Sequence, residues 1–222
     1  MQKPKHIVLL GASVGRAWNI ESLPKRIIQP STKNSSDSTN PSNPISYRFE
    51  YIGEYQFDKT DALQQVLKRK VNKPDAIFIK ECAAYFPGDL SHYRELVQGW
   101  VVQCRKAGVV LIPTTVVPVI RDYSFKTQLK DLIKRVIGRP TSSWGLTEII
   151  KYNDWIKSYA QKEGLVVLDL EDPVHTSKED RSLRLDLHSG DGLHLNEKAY
   201  KLLDQIVPRT LEQAFKSVRS VR

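Results

Sequence analysis

Short apolar runs alternate with longer amphipathic stretches along this chain of 222 residues. Five runs are rich in β-branched and other apolar residues, at 6–11, 48–53, 76–81, 109–116 and 165–170. Four of them are almost continuously apolar, which is typical of strands that are covered on both faces of a sheet. The run at 48–53 is more mixed. The pattern predicts five β-strands.

The stretches between these runs have the apolar spacing of helices. Helices are predicted within 58–70, 89–108, 147–164 and 196–215. Asp58 or Thr60 is the expected cap of the first helix, and Gly108 and Gly164 are expected to end the second and third. Pro208 is expected to bend or split the last helix.

Strands that alternate with helices predict a parallel sheet with right-handed crossovers. The hydrophobic content of 40% and the charged content of 27% are ordinary for a globular protein. The length suits a single domain over 1–222. Ligands of such sheets bind beyond the carboxyl ends of the strands, so chemistry is expected directly after each strand.

Two stretches depart from this alternation. Residues 29–44 are rich in Ser, Asn and Pro and almost devoid of apolar residues, which predicts a mobile surface excursion. Residues 117–145 contain an amphipathic pattern at about 124–137, followed by a turn bounded by Gly and Pro. Such an insertion can form a lid or pocket wall, or a plain surface helix.

The formal net charge is +9, and much of it lies in the basic stretches 67–73 and 129–135 and at the C-terminus. A basic balance permits contact with nucleic acid, anionic lipid or acidic polymers. No zinc finger, RNA-binding motif or basic heptad array accompanies the charge, which favours a solvated basic surface and no specific nucleic-acid partner.

No apolar run approaches the ~20 residues of a membrane span, and the N-terminal apolar stretch is too short for a signal-peptide core. A cytoplasmic protein and a mature secreted form both fit. Cys82 and Cys104 belong to no zinc pattern and are expected to be reduced thiols, although one bridge between them stays open. No metal site or cofactor is predicted.

The first predicted strand ends in a Gly-Ala-Ser turn at 11–13. This places Ser13 at the carboxyl edge of the sheet, and Gly11 and Gly15 allow a sharp turn with space around the hydroxyl. If a helix begins there, its amides favour negative charge. A nucleophile with an oxyanion donor fits this turn, and so does a helix cap or a phosphate site.

Asp191 and His194 lie three residues apart, in a turn that also contains Gly190 and Gly192. That spacing can bring the carboxylate to one imidazole nitrogen and leave the other free to face a nucleophile. A loop histidine that only binds a nearby carboxylate is the alternative interpretation. Taken together with Ser13, the pair predicts a Ser-His-Asp site.

With Gly-Ala-Ser after the first strand and Asp-Gly-Leu-His-Leu-Asn before the last helix, the chain resembles the SGNH hydrolase superfamily, the GDSL-like esterases and lipases. The resemblance implies a flavodoxin-like three-layer α/β/α sandwich with a five-stranded parallel sheet. It implies that Ser13, Asp191 and His194 are catalytic. Ala12 stands where the family commonly has aspartate, at a variable position.

The resemblance also implies oxyanion donors after the second and third strands. Gly53 is the candidate after the second strand. After the third strand the family has Gly-x-Asn-Asp, whereas this chain has Cys82 or Ala83 at the asparagine position, depending on register. Lys80 or a backbone amide of 82–84 could supply the missing donor. Losing one such donor costs on the order of 10²–10³ in rate.

The sequence therefore predicts a serine esterase that acts on an O-acyl group of a small molecule or carbohydrate, and the resemblance implies short acyl groups such as acetyl. Two rivals stay open. One is a weak or inactive SGNH-like protein that binds a ligand at the same strand edge, which the missing asparagine would explain. The other is a flavodoxin-like nucleotide or phosphate binder, which would not explain the pairing of Asp191 with His194.

Overall fold

The sheet is central to the architecture of this computed structural model, which describes residues 3–27, 46–82, 90–121 and 142–219. The strands are β1 (Lys5–Gly11), β2 (Tyr47–Gly53), β3 (Ala76–Lys80) and β4 (Val110–Pro113). All neighbours are parallel, in the order β2-β1-β3-β4. Because β1 pairs on both sides, the turn that follows it lies at the middle of the carboxyl edge.

The expected fifth strand at 165–170 is the main difference from the predicted fold. The described part of the chain has a four-stranded sheet, and this segment contributes a single bridge, between Leu168 and Thr114. The Leu168 N–H donates to the Pro113 carbonyl at 3.0 Å, and its carbonyl accepts from the Thr115 N–H at 3.2 Å. The next pair of a parallel ladder would require an N–H from Pro113 to the Val166 carbonyl. Proline has no N–H, so the ladder stops there.

Helices connect the strands much as the apolar spacing predicts. They are α1 (Ser13–Trp18), α2 (Leu23–Arg26), α3 (Thr60–Leu67), α4 (Leu90–Ala107), α5 (Ser142–Glu163) and α6 (Glu197–Arg219), with a short 3-10 turn at Ile20–Ser22. The N-cap position of α3 is Lys59, so neither Asp58 nor Thr60 is the cap residue, although Asp58 accepts the Thr60 N–H at 2.8 Å. Gly108 and Gly164 end α4 and α5 with φ of +67° and +66°, which confirms both predicted stops.

Both faces of the sheet are covered, as the continuous apolar strands predict. Ile7, Leu9 and Phe78 point to one face, where they pack with side chains of α1 and α6. Val8 and Ile77, one residue out of step, point to the other face and pack with α3, α4 and α5. Helices therefore form a layer on each side of the parallel sheet.

Helix α6 runs through Pro208 without a break, so the expected split is wrong. Leu203, Val207 and Leu211 are fully buried on both sides of the proline, and this packing keeps the helix continuous. One turn earlier, Asp204 accepts from the Trp18 indole at 2.8 Å and from the Arg26 guanidinium at 2.7 and 2.9 Å. This contact ties α6 to the segment that follows Ser13.

Several predictions fall partly or wholly outside the described residues. The excursion at 29–44 and the helix at 124–137 lie there, and only the two ends of the 117–145 insertion are described. Cys82 and Cys104 are buried free thiols, so the open possibility of a bridge is excluded. Within the described ranges, no helix combines the length and apolarity needed to cross a membrane.

Candidate active site

Ser13 follows β1 by two residues and is the first residue of α1. Its side chain is half-buried. The Tyr51 hydroxyl donates to the carbonyls of Gly11 and Ala12, at 2.9 and 3.1 Å, and so braces the turn. A Cβ at Gly15 would lie 3.2 Å from the Tyr51 ring, so glycine permits this close approach.

Asp191 and His194 lie in the turn that precedes α6. Gly190 and Gly192 have φ of +118° and +75°, a backbone conformation that side-chain-bearing residues rarely adopt. One carboxylate oxygen of Asp191 accepts the backbone N–H groups of Leu193 and His194, at 2.9 and 2.8 Å. The other lies 2.5 Å from His194 Nδ1. The turn is folded around the carboxylate.

These hydrogen bonds also affect the charge of Asp191. The His194 ring and the two backbone amides all favour the ionised form, so the pKa of Asp191 lies well below its ordinary value. The carboxylate is therefore ionised throughout the neutral range. An ionised carboxylate on Nδ1 holds the imidazole with its proton on that nitrogen and leaves Nε2 as an acceptor.

The structure joins the two ends of the chain at this point. His194 Nε2 lies 3.0 Å from Ser13 Oγ, across a separation of 181 residues. The Ser13 hydroxyl, the His194 imidazole and the Asp191 carboxylate thus stand in one hydrogen-bonded line, a geometry that can activate a serine hydroxyl. The imidazole side chain is 36% exposed, so a substrate can reach it from solvent.

Neighbouring backbone holds the histidine turn in place. The Ser189 N–H donates to the His194 carbonyl at 2.8 Å, which closes the turn on itself. The Ile120 N–H donates to the Gly192 carbonyl at 3.1 Å, and the Ile120 side chain would lie 2.6 Å from a Cβ placed at Gly192. The described beginning of the 117–145 insertion therefore packs directly on the turn.

Gly53, the expected donor after the second strand, is the exposed last residue of β2 and pairs in register with Gly11. The N–H of Glu54 donates to the Gly11 carbonyl at 3.0 Å. Because successive N–H groups of a strand point in opposite directions, the Gly53 N–H faces away from β1 and its serine turn. That orientation does not favour Gly53 as an oxyanion donor.

The expected donor after the third strand falls at the edge of the described chain. Cys82 is buried, two residues beyond the end of β3, and Ala83 lies outside the described residues. The side chain of Cys82 is a weak donor in comparison with an amide. Among the described residues at this strand end, no side chain therefore replaces the asparagine that the family uses as an oxyanion donor.

Buried charged residues lie where β3 ends. The Lys59 ammonium lies 2.9 Å from the Glu81 carboxylate, with side-chain exposures of 0% and 1%. Lys59 also donates to the Gln56 carbonyl at 2.6 Å, and Lys80 donates to the Glu81 carbonyl at 2.9 Å. Burial raises the pKa of Glu81 and lowers the pKa of Lys80 to about 8.

The sequence indicated Lys80 and Glu81 as charges at a strand end, but it did not indicate their partner. Lys59 stands in a polar stretch ahead of a helix, where a lysine is ordinarily solvated. The available signal was the pair of charges that ends an otherwise apolar strand. Such charges have to be paired when they are buried.

No family model matches the chain, and no curated protein matches it. Solved structures, in contrast, do match the chain. A GDSL-like lipase from Bacteroides thetaiotaomicron superposes with a TM-score of 0.62 at 14% identity, over 96% of this chain and 93% of the other.

Two further structures extend the likeness. An acetylxylan esterase from Geobacillus stearothermophilus, solved as a catalytic mutant, gives a TM-score of 0.59 at 10% identity, over 95% of this chain and 96% of the other. The catalytic domain of a peptidoglycan O-acetyltransferase from Streptococcus pneumoniae gives 0.56 at 16% identity, over 97% of each chain. Along nearly its whole length, this chain therefore has the fold of the SGNH hydrolases and GDSL-like lipases, as its motifs predict.

Proposed function

We propose that the protein is a serine esterase that cleaves an O-acyl ester, with Ser13 as nucleophile, His194 as general base and acid, and Asp191 as the orienting carboxylate. The observation that carries the proposal is the unbroken line of contacts, 3.0 Å from Ser13 to His194 and 2.5 Å from His194 to Asp191. These three residues supply the groups that the reaction needs: a nucleophile, a proton acceptor and a negative charge that stabilises the resulting imidazolium.

The reaction proceeds in two halves. Ser13 Oγ attacks the ester carbonyl carbon while its proton passes to His194 Nε2. The tetrahedral intermediate then expels the alkoxide, which takes that proton and leaves as the alcohol. Water loses a proton to the same nitrogen and attacks the acyl-serine, and the proton returns to Ser13 as the acid departs.

The developing oxyanion needs donors near Ser13. The Ser13 N–H is the first choice, because it belongs to the first residue of α1, where an amide has no partner within the helix. Water and substrate can reach the site from solvent, since the side chains of His194 and Asp191 are 36% and 50% exposed. An open site of this kind suits an acyl group carried on a sugar or on a small molecule.

The acyl group is proposed to be acetyl. Two of the similar structures are described as an acetylxylan esterase and a peptidoglycan O-acetyltransferase, both of which handle acetyl groups on polysaccharides. A carbohydrate acetyl ester is therefore the first substrate to test for this chain. The rival is a weak or inactive ligand-binding protein on the same fold, which the missing asparagine side chain would favour.

A panel of substrates tests the proposal. Hydrolysis of p-nitrophenyl esters of graded chain length and of fully acetylated glucose and xylan is measured with the wild type, with Ser13→Ala as the blank. Turnover above the blank, highest for the acetyl esters, is the expected result. Equal rates for wild type and Ser13→Ala on every ester would reject the esterase and leave the ligand-binding rival.

The histidine turn offers a prediction of its own. Gly192→Ala is expected to lower kcat/KM roughly 10²-fold, because the new methyl group meets the Ile120 side chain and displaces the turn that carries His194. Ile120→Ala alone should cost much less. The double variant Gly192→Ala/Ile120→Ala should recover part of the loss, with the remainder due to the strained φ of +75°.

Ester hydrolysis and thermal unfolding are measured for all three variants. Full activity of Gly192→Ala would show that the Ile120 contact does not position the histidine. A loss that Ile120→Ala fails to relieve would assign the effect to backbone strain alone.

A further inference from the structure

Three charged side chains are buried together where β3 ends, beside the serine turn. They are Lys59, Lys80 and Glu81, with residue exposures of 0%, 1% and 1%. The carboxylate of Glu81 already has a cation, because the Lys59 ammonium lies 2.9 Å from it. Even with Glu81 fully ionised, this buried charge cluster therefore keeps one cation in excess.

Among the residues that the structure describes, Lys80 is the cation of this cluster that has no carboxylate partner. Among the described residues, the hydrogen bond of its ammonium is to the carbonyl oxygen of Glu81, at 2.9 Å. An ammonium has three donors, so one carbonyl leaves it incompletely satisfied. A buried cation in this condition is costly to the fold. That cost is reduced whenever negative charge forms within its reach.

The strand register relates Lys80 to the catalytic turn. Lys80 pairs with Gly11, and Phe78 and Leu9 are the pair before it on the same face. The Lys80 Cβ lies 3.1 Å from the point where a Cβ on Gly11 would stand. Val14 of α1 packs in the core on this same face. The Lys80 side chain thus leaves the sheet at its carboxyl edge, on the side where Ser13 begins α1.

From this placement we infer that the Lys80 ammonium is an electrostatic stabiliser of the oxyanion formed at Ser13. The inference rests on the proposed esterase. When Ser13 attacks, the carbonyl π electrons move onto oxygen, and that oxygen becomes an anion until the carbonyl re-forms. Lys80 supplies positive charge to this anion and transfers no proton. Its role is electrostatic stabilisation by a cation that is itself buried, where the effective dielectric constant is lower than in water.

Glu81 and Lys59 are positioning residues in this arrangement. If the Glu81 carboxylate were free, it would pair with the Lys80 ammonium and cancel its charge. The ion pair with Lys59, reinforced by the Lys59 bond to the Gln56 carbonyl at 2.6 Å, keeps the carboxylate engaged. The excess positive charge then stays on Lys80, beside the serine.

A pH dependence follows from the charge on Lys80. Its pKa is lowered to about 8, chiefly by burial; the nearby Cys82 and Glu81 act to raise this pKa, and Lys59 acts to lower it. Lys80 stabilises the oxyanion only while it is protonated. The rate of acylation is therefore expected to fall as the pH rises through about 8. This fall must be absent in a variant whose residue 80 does not titrate.

The test uses Lys80→Met and Lys80→Gln, which are similar in length and differ in hydrogen-bonding capacity. The pre-steady-state burst with p-nitrophenyl acetate is measured between pH 6 and pH 10 for the full chain. Lys80→Met should slow acylation roughly 10²–10³-fold with the Kd for the ester nearly unchanged, both obtained from the dependence of the burst rate on ester concentration. Lys80→Gln keeps an N–H donor and should recover a substantial part of that loss. Both variants should lack the fall near pH 8.

A matched control separates this role from the general effect of removing a lysine. Lys73 is exposed and also donates to a backbone carbonyl, that of Ala107 at 2.7 Å, before β3 begins at the opposite edge of the sheet. Lys73→Met should leave acylation and its pH profile unchanged. Circular dichroism and thermal unfolding of each variant show whether it is folded.

The outcomes separate the inference from the proposal beneath it. If folded Lys80→Met acylates at the wild-type rate, or loses activity only through a raised Kd for the ester, Lys80 is not an oxyanion stabiliser and the esterase stands. If the fall in acylation rate near pH 8 is the same in Lys80→Gln as in the wild type, the inference is also overturned. If the wild type itself gives no burst above Ser13→Ala, the esterase proposal fails, and the inference fails with it.

Discussion

Replacing His194 by alanine is expected to lower kcat for ester hydrolysis by roughly 10⁴–10⁶-fold, the largest effect of any single change outside Ser13. The imidazole is the only group within hydrogen-bond distance of Ser13 Oγ among the described side-chain contacts, at 3.0 Å. Without it, the serine proton has no acceptor and the leaving alkoxide has no donor. Steady-state kinetics with p-nitrophenyl acetate measures the loss.

Added imidazole provides the control for this variant. The His194 side chain is 36% exposed, so its removal leaves a space that opens to solvent. Free imidazole should restore part of the activity of His194→Ala in a concentration-dependent way and should leave Ser13→Ala unchanged. A His194→Ala protein that is folded and retains more than a tenth of the wild-type rate would contradict the assignment of His194 as the base.

Asp191→Asn is expected to lower kcat by roughly 10⁴-fold, with little change in KM. Asparagine would keep the shape of the turn, but it offers Nδ1 of His194 either an uncharged oxygen or a competing N–H group. The imidazole then loses the charge that stabilises its protonated form. The bonds from Leu193 and His194 amides, at 2.9 and 2.8 Å, can persist, so the turn should stay folded.

The ionisation of Asp191 also predicts how ester hydrolysis by the wild type depends on pH. The pKa of Asp191 is lowered chiefly by its bond to the His194 ring, so Asp191 stays ionised across the assay range and adds no acid limb. A lowered pKa also means that this carboxylate stabilises the fold above its unfolded pKa, and that this contribution is lost as the pH falls through the folded pKa.

Asp186→Asn is the matched control for Asp191→Asn. Asp186 belongs to the same loop and is an exposed carboxylate, and its described side-chain partners are Arg184 and Lys198. Its replacement should leave kcat within about twofold, since surface ion pairs contribute little. Equal losses for the two variants would indicate a general effect of loop charge. The double variant His194→Ala/Asp191→Asn should be no slower than His194→Ala, because the two residues act as a unit.

Much of the fold could be predicted because the sheet is covered on both faces. Burial on both sides makes runs such as 6–11 and 76–81 almost continuously apolar, and that pattern is visible in one sequence. Gly108 and Gly164 marked helix ends, since few other residues adopt the φ required there. The parallel order followed from alternation with helices.

The length of the fifth strand could not be predicted correctly, because its extension toward Val166 depends on one partner atom. The run at 165–170 has strand composition, and its Leu168 does bridge to Thr114. The missing N–H of Pro113 stops the ladder, and this matters only once the register of the two segments is known. Similarly, the helix through Pro208 continues because Val207 and Leu211 are buried, which the local sequence does not reveal.

The proximity of Ser13, Asp191 and His194, the residues proposed to be catalytic, was predictable for a different reason. Ser13 follows a buried strand, and the glycines at 190 and 192 mark a turn around Asp191 and His194. These are local signals. The buried charge cluster was not predictable, because the pairing of Lys59 with Glu81 joins residues 22 positions apart through tertiary packing. The orientation of the Gly53 amide likewise depends on strand register.

The most direct test of the central claim is the mass of the intact protein after reaction with a fluorophosphonate probe, followed by peptide mapping. The account predicts one adduct per chain, on Ser13, with no adduct on Ser13→Ala and slow labelling of His194→Ala. No adduct on folded wild type, or an adduct that maps elsewhere and persists in Ser13→Ala, would contradict it.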